Sequence, residues 1–172
     1  MRQLWCDLGP ESVTDESFPG LEPPISTIRV FCDGGSRGNP GPAAVGAVVL
    51  DATREPARVI GTVSRTIGIA TNNVAEYQAV IDALEIAAQY GASRLEVRAD
   101  SQLVIRQLEG RYRVKNAGLQ PLYARVRELL RGYAHVDLLH VRREHNVEAD
   151  ALVNAALDAA LEVETETEVL GG

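Results

Sequence analysis

The order of apolar and polar positions predicts a chain that alternates strands with helices. Short β-branched or alternating runs predict strands at 27–33, 43–51, 59–66, 95–99 and 136–141. Apolar residues at helical spacing predict a helix that opens at 71–73, where asparagine is a favoured cap, and ends at Gly91. Further helices are predicted at 103–109, 119–131 and 147–161, the last of them capped by Asn146. The order β-β-β-α-β-α-α-β-α predicts an α/β fold with a five-stranded mixed sheet, because an antiparallel meander leads into strands joined by helices. Helices should cover both faces.

Composition and charge divide the chain into a domain and two acidic ends. The 172 residues, 45% of them hydrophobic, suffice for one domain with a core, which we place at 26–161. Residues 1–25 lack periodicity and are predicted to be a disordered leader with Trp5 as its candidate anchor, and residues 162–172 an acidic tail. Each end has a net charge of −4, so the domain carries +1 although the whole chain carries −7. The overall acidity therefore does not exclude a nucleic-acid partner.

Cysteine usage and hydropathy indicate the compartment. Two cysteines, Cys6 and Cys32, make no disulfide framework, which favours a reducing environment. The sequence contains no apolar run long enough for a signal peptide or a membrane span. We expect a cytoplasmic protein that is monomeric and does not bind a membrane.

Four acidic residues fall at or near the ends of predicted elements. Asp33 ends the first strand, just before a turn rich in Gly and Pro, and Asp100 ends the fourth strand. Glu76 and Asp150 lie in the first turns of the first and last helices. Right-handed crossovers make the first and fourth strands plausible neighbours. Four acids at one sheet edge repel unless cations lie among them, and oxygen ligands without Cys or His suit Mg²⁺ or Mn²⁺. The pattern predicts a two-ion site for phosphodiester cleavage.

Each acid also has an ordinary structural role open to it. Asp33 fits a hairpin turn, because turns favour Asp and Gly. Glu76 could be a capping acid, Asp100 could cap the helix that follows it, and Asp150 could be a surface helix residue. Only the combination of all four favours a metal site.

Residues 27–160 resemble the type 1 ribonuclease H family. Four motifs in the family's order carry the resemblance: Asp33-Gly34-Gly35-Ser36-x-Gly38-Asn39-Pro40-Gly41-Pro42, Thr71-Asn72-Asn73-x-x-Glu76, Asp100-Ser101-Gln102 and Asn146-x-x-Ala149-Asp150. The resemblance implies a ribonuclease H-like fold. It also implies an endonuclease that hydrolyses the RNA strand of an RNA–DNA hybrid and leaves 3′-hydroxyl and 5′-phosphate ends.

The resemblance assigns roles to the four acids. Asp33 would bridge two Mg²⁺ ions, with Mn²⁺ as the alternative metal. Asp150 would help hold the ion that activates the attacking water, and Glu76 and Asp100 the ion beside the leaving group. All four would thus be both metal ligands and catalytic residues.

The resemblance also assigns substrate contacts, which are Gly34, Asn39, Thr71, Asn72, Asn73, Ser101, Gln102 and Asn146. A protein tells RNA from DNA by the 2′-hydroxyl across a shallow minor groove, and neutral amides suit this group because they both donate and accept hydrogen bonds. Thr71 matches a contact to a phosphate of the DNA strand. Further candidates for phosphate contacts, which a solvated basic face would explain equally well, are Arg37, Arg106, Arg111, Arg113 and Lys115.

Two features of many family members are missing. Residues 141–146 run almost directly from the last strand to the last helix, so the histidine-bearing loop found there in other members is absent. The chain is therefore similar to the short-loop, archaeal-like form, in which an arginine of this segment is implicated, and Arg143 is the candidate catalytic residue. His145 lies near the site at a position that the family does not use, while we expect His140 to be packed within the last strand.

The second missing feature is the Lys-rich protruding loop, which the connector 111–116 would partly replace, and the leader does not resemble a hybrid-binding domain.

Other functions stay open. The chain could be a non-catalytic module that binds a hybrid or a duplex, or another hydrolase of the wider superfamily that cuts double-stranded RNA or DNA junctions. The short-loop resemblance also leaves open an added activity on double-stranded RNA. An actin-like phosphotransferase shares the sheet topology but needs a longer chain.

Overall fold

The computed structural model describes residues 23–170, with side chains described as far as residue 162. Its strands are β1 (Thr27–Ser36), β2 (Gly41–Asp51), β3 (Arg58–Ala70), β4 (Arg94–Ala99) and β5 (His135–His140). Its α-helices are α1 (Asn72–Ala87), α2 (Gln102–Leu108), α3 (Gln120–Leu130) and α4 (Val147–Leu170), with 3₁₀ turns at Ala88–Tyr90 and Arg143–His145. The predicted order of strands and helices is confirmed.

The five strands form one mixed sheet in the order β3-β2-β1-β4-β5. β1 pairs antiparallel with β2 and parallel with β4, which confirms that the first and fourth strands are neighbours. β2 pairs antiparallel with β3, and β4 pairs parallel with β5. The α/β class and the five-stranded mixed sheet are therefore both confirmed.

Helices cover both faces of this sheet, as predicted. Alternate residues of β1, such as Ile28 and Val30, belong to the main core together with the buried Tyr77 and Leu84 of α1. α4 packs on the opposite face, where Val153 joins a smaller buried cluster with residues of β2 and α4. Each helix is thus fixed on the sheet by its apolar side.

Two glycines allow α1 and α4 to lie directly against the strands. A Cβ atom at Gly34 would be 2.1 Å from the Ala75 carbonyl carbon and 2.3 Å from the Glu76 nitrogen. A Cβ atom at Gly46 would be 2.2 Å from the Ala149 carbonyl oxygen. Any side chain at either position would push away a helix start, so both glycines set the positions of the acids on α1 and α4.

Several element boundaries differ from the prediction. β1 does not end at Asp33 but continues to Ser36, because the antiparallel ladder with β2 extends further along the strand. α4 continues to Leu170 rather than ending near residue 161, so most of the predicted acidic tail is helical; glutamate is a good helix former. Residues 1–22 of the predicted leader lie outside the described residues, and Ile25 packs against the core. No described helix is long and apolar enough to cross a membrane.

Candidate active site

The site lies where β1 and β4 separate. Their last paired residues are Cys32 and Ala99, and the next residues on the two strands are Asp33 and Asp100. β1 continues beside β2, with Asp33 opposite Gly46, whereas β4 ends and the chain turns into α2. The two carboxylates are therefore neighbours at the end of the parallel part of the sheet.

The helices that press on Gly34 and Gly46 bring the other two acids. Glu76 comes from α1, slightly beyond the first turn where it was expected, and Asp150 comes from the first turn of α4, as expected. All four acids line one pocket of about 330 Å³. The structure thus brings together the carboxylates that the sequence singled out.

Burial and neighbouring negative charges raise the pKa of two of the four carboxylates, Asp33 and Glu76. The pKa of Asp33 is raised to about 7, first by burial and then by the negative charges of Asp100, Asp150 and Glu76. Arg143 opposes this shift. Burial also raises the pKa of Glu76, although hydrogen bonds from Ser101 and Asn72 counteract it. The centre of the pocket is where added positive charge would be most favourable.

The donor chemistry of the pocket fits a hard divalent cation. Within the described residues, no three Asp, Glu, His or Cys side chains meet closely enough, as they stand, to hold one ion. However, the four carboxylates share one pocket with no Cys or His in its lining, and oxygen-only donor sets suit Mg²⁺ or Mn²⁺. A cation among them would also offset the repulsion that raises the pKa of Asp33.

Neutral donors orient two of the acids. The Asn72 amide donates to Glu76 Oε1 at 3.0 Å, and the Ser101 hydroxyl donates to Glu76 Oε2. The Asn146 amide donates to Asp100 Oδ1 at 3.3 Å and to the Cys32 carbonyl at 2.9 Å. These contacts fix the carboxylates without adding charge to the pocket.

The helix starts differ from those predicted. Thr71, not an asparagine, caps α1, since its hydroxyl accepts the Val74 N–H at 3.4 Å. For α2, the alternative that Asp100 serves as the cap is excluded, because Ser101 caps this helix and leaves the Asp100 carboxylate for the pocket. The Asn146 side chain does not cap α4; only its carbonyl receives an N–H from that helix, that of Asp150.

The predicted substrate contacts fall into two groups. Gly34, Ser101 and Asn146 are buried, and all three support the acids rather than face outwards. The remaining predicted contacts are half-buried or exposed, and Asn72 among them lines the pocket; these are Asn39, Thr71, Asn72, Asn73 and Gln102. Asn39 also accepts the Asn72 N–H at 3.2 Å, which ties the β1–β2 turn to the start of α1.

The segment between β5 and α4 places Arg143, and not His145, at the acids. It spans only residues 141–146, so the short connection predicted from the sequence is confirmed. Arg143 lines the acidic pocket and donates to Asp150 Oδ1 at 2.6 Å. His145 lines a different pocket of about 430 Å³, bounded by apolar residues such as Phe31 and Val147.

Two polar residues near the site were misjudged or missed. His140 was expected to be packed, but it is exposed, and its Nε2 lies 3.2 Å from the Asp100 carbonyl oxygen. The prediction was wrong because β5 is an edge strand with little cover. Asn154 was not identified at all, although it lines the pocket and donates to Asp150. Its only sequence signal is the helical spacing of four residues from Asp150.

A mixed sheet in this strand order, with four carboxylates where β1 and β4 separate, is the arrangement expected of a ribonuclease H-like fold. Comparisons with known proteins agree. The model of the "Reverse transcriptase-like" family matches residues 31–156. A ribonuclease HI of Halobacterium salinarum is 47% identical over 133 residues, which cover 77% of this chain and 65% of that protein. A bifunctional protein of Mycobacterium tuberculosis is 44% identical over 133 residues, which are 77% of this chain and 36% of that protein.

Solved structures give the same result. The crystal structure of the Halobacterium salinarum RNase H1 is similar with a TM-score of 0.72 and 46% identity, covering 78% of this chain and 99% of that one. LC11-RNase H1 in complex with an RNA/DNA hybrid is similar with a TM-score of 0.71 and 41% identity, again covering 78% and 99%. The chain belongs to the reverse-transcriptase-like family, and the relatives named above include a ribonuclease HI and two RNase H1 proteins.

Proposed function

We propose that this protein is an endoribonuclease that cuts the RNA strand of RNA–DNA hybrids and leaves 3′-hydroxyl and 5′-phosphate ends. The observation that carries the proposal is that Asp33, Glu76, Asp100 and Asp150 line one pocket at a sheet edge. The similarity to LC11-RNase H1, whose structure contains an RNA/DNA hybrid, supports the choice of substrate. The chain spans less than two thirds of the length of the relatives named above. The activity is therefore proposed for the domain described here.

The four carboxylates would hold two Mg²⁺ ions, with Mn²⁺ as the alternative. When bound, such ions neutralise charge at the scissile phosphate and make a water molecule nucleophilic near neutral pH. The chain's own contribution is to hold the acids in place. Asp33 is central, since the charges of the other three acids all raise its pKa, and Asn72, Ser101 and Asn146 orient Glu76 and Asp100.

Arg143 supplies a positive charge beside these acids. Its guanidinium is bound to Asp150, yet its side chain is 76% exposed, so it can also reach a phosphate at the pocket mouth. Arginine suits this task because the geometry of its planar group matches both phosphate and carboxylate oxygens. We therefore assign the positively charged catalytic role to Arg143.

Recognition of the hybrid would use the polar groups around the pocket. The amides of Asn39, Asn73 and Gln102 are exposed or half-buried there and can pair with 2′-hydroxyls in the minor groove. The Thr71 oxygen accepts the Val74 N–H, which leaves its O–H proton for a phosphate.

The connector between α2 and α3 would contribute phosphate contacts. Arg111, Arg113 and Lys115 are all exposed, although Arg111 also pairs with Glu109 at 3.1 Å. Contacts of this kind add affinity without sequence preference and weaken with salt. We further propose that the protein is a monomer, which light scattering of the purified chain would test, and that it acts in the cytoplasm, which cell fractionation would test.

A cleavage assay on four substrates tests the proposed function. End-labelled RNA–DNA hybrid, double-stranded RNA, single-stranded RNA and double-stranded DNA are each incubated with Mg²⁺ or Mn²⁺, and with EDTA as the control. We expect metal-dependent cutting of the RNA strand of the hybrid, with products that a 5′-phosphate-dependent exonuclease degrades. Comparable cutting of double-stranded RNA would establish it as a second substrate. If the hybrid is bound but no substrate is cut, the chain is a binding module and the proposal is wrong.

A further inference from the structure

An asparagine side chain donates a hydrogen bond to each of three acids of the pocket, which are Glu76, Asp100 and Asp150. Asn72 donates to Glu76 at 3.0 Å, and Asn146 donates to Asp100 at 3.3 Å. Asn154 donates to Asp150 Oδ2 at 3.2 Å. The first two asparagines belong to the motifs singled out from the sequence. The third belongs to none of them, and it completes the set.

The two oxygens of Asp150 have different partners. Oδ1 receives the Arg143 guanidinium at 2.6 Å, while Oδ2 receives the Asn154 amide. The same Asn154 nitrogen also lies 3.0 Å from the Asp150 carbonyl oxygen, so the amide is anchored to the helix that carries the acid. Asn154 itself lines the acidic pocket. It can therefore fix the rotation of the carboxylate independently of Arg143.

The chemistry of these two partners has different consequences for a cation. A guanidinium on Oδ1 competes with a metal ion for the same oxygen, and it is free to leave because the Arg143 side chain is 76% exposed. A neutral amide on Oδ2 leaves the negative charge of Asp150 undiminished. Removal of a group that hydrogen-bonds to a metal ligand and orients it commonly lowers metal affinity or activity by about 10–100-fold.

We propose that Asn154 is a positioning residue, which turns Asp150 Oδ1 toward the pocket and keeps it there when Arg143 moves to the substrate. This inference rests on the proposed function and adds a residue to its site. The alternative is an ordinary contact between residues four apart on an exposed helix, which stabilises the helix slightly and contributes nothing to metal binding.

Two variants and a matched control separate these explanations. Asn154→Leu removes the donor at similar size, and Asn154→Gln retains an amide on a longer side chain. Gln89→Leu is the control, because the Gln89 amide makes the same kind of contact, to the Glu85 carbonyl at 3.4 Å, at the opposite end of α1 from Glu76. Mg²⁺ binding to each protein is measured by calorimetry without nucleic acid, and kcat and KM are measured on the hybrid. Thermal unfolding in EDTA checks that each variant is folded.

We expect Asn154→Leu to weaken Mg²⁺ binding and to lower kcat at subsaturating Mg²⁺, each about 10-fold, with KM for the hybrid unchanged. Asn154→Gln should lie between Asn154→Leu and the wild type, and Gln89→Leu should equal the wild type. The assignment is overturned if Asn154→Leu binds Mg²⁺ as the wild type does, or if Asn154→Gln is as impaired as Asn154→Leu. A wild-type protein that neither binds Mg²⁺ nor cuts the hybrid would overturn the proposed function itself.

Discussion

Asp33 and Asp100 are the first residues after the last pair of the parallel β1–β4 ladder, in which Cys32 lies beside Ala99. The strands separate at this point because β1 continues along β2 while β4 ends. Two carboxylates are thereby held side by side on the backbone itself, and burial together with the other acids raises the pKa of Asp33 to about 7. The fold thus stores a repulsion that a bound cation would relieve.

Burial of Asp33, together with the repulsion from the other acids, should make the metal-free protein less stable as the pH rises. The folded-state pKa of Asp33 is about 7 and its ordinary value is 3.8, so the folded state binds the proton more tightly. The stabilisation by this proton is complete below about pH 4 and is lost as the pH rises through about 7. In EDTA, the loss attributable to Asp33 should be on the order of 1–4 kcal/mol.

Urea unfolding of the wild type and of Asp33→Asn from pH 4 to pH 8 measures this effect. The free energy of unfolding of the wild type should fall relative to that of the variant across the range, and Mg²⁺ should restore part of the difference at pH 8. A difference between the two proteins that is independent of pH would contradict the raised pKa.

The close approach of β1 to α1 depends on Gly34. Gly34→Ala should destabilise the protein and misplace Glu76, because its Cβ would be 2.1 Å from the Ala75 carbonyl carbon, a backbone atom that cannot rotate away. We expect a loss of stability of about 1–3 kcal/mol and a larger proportional loss of cleavage. Gly132→Ala is the control, since the nearest atom to its Cβ would be 3.4 Å away. Equal unfolding midpoints of the two variants would show that α1 shifts without cost.

Arg143 and His145 belong to the same 3₁₀ turn but face different pockets. Arg143→Ala should therefore lower kcat on the hybrid by at least about 10-fold, whereas His145→Ala should change it less than twofold. Single-turnover kinetics with saturating enzyme would separate the chemical step from product release. If His145→Ala proves the slower variant, the histidine has taken over the role of the missing loop.

The sequence was sufficient for the elements and the four acids because both depend on local patterns. Apolar periodicity identified each strand and helix. The acids lie close to the predicted boundaries, although β1 continues three residues past Asp33 and Glu76 lies just beyond the first turn of α1. The choice of cap was harder, because Thr71 and Asn72 are adjacent and both are favoured caps. Only the hydrogen bond from Val74 to Thr71 decides it.

Features that depend on tertiary packing could not be predicted from the pattern. The alternation of apolar and polar residues in β5 is the same whether the strand is central or at an edge, so it does not decide whether His140 is buried. The strand order places β5 at the edge, where His140 is exposed. Asn154 follows Asp150 by four residues, but such spacing is common in helices and indicates a site only once Asp150 is known to line the pocket. Both features depend on contacts between segments that are far apart in sequence, which a local pattern does not contain.

The most direct test of the account is cleavage of an end-labelled RNA–DNA hybrid by Asp33→Asn and Asp100→Asn at saturating Mg²⁺, with binding of the same hybrid measured in parallel. Each substitution removes a ligand charge but keeps the size of the side chain and the surrounding amides. We expect each variant to lose cleavage by at least about 1000-fold while it binds the hybrid within a few-fold of the wild type. Turnover near that of the wild type in either variant would contradict the assignment of these carboxylates as the catalytic metal site.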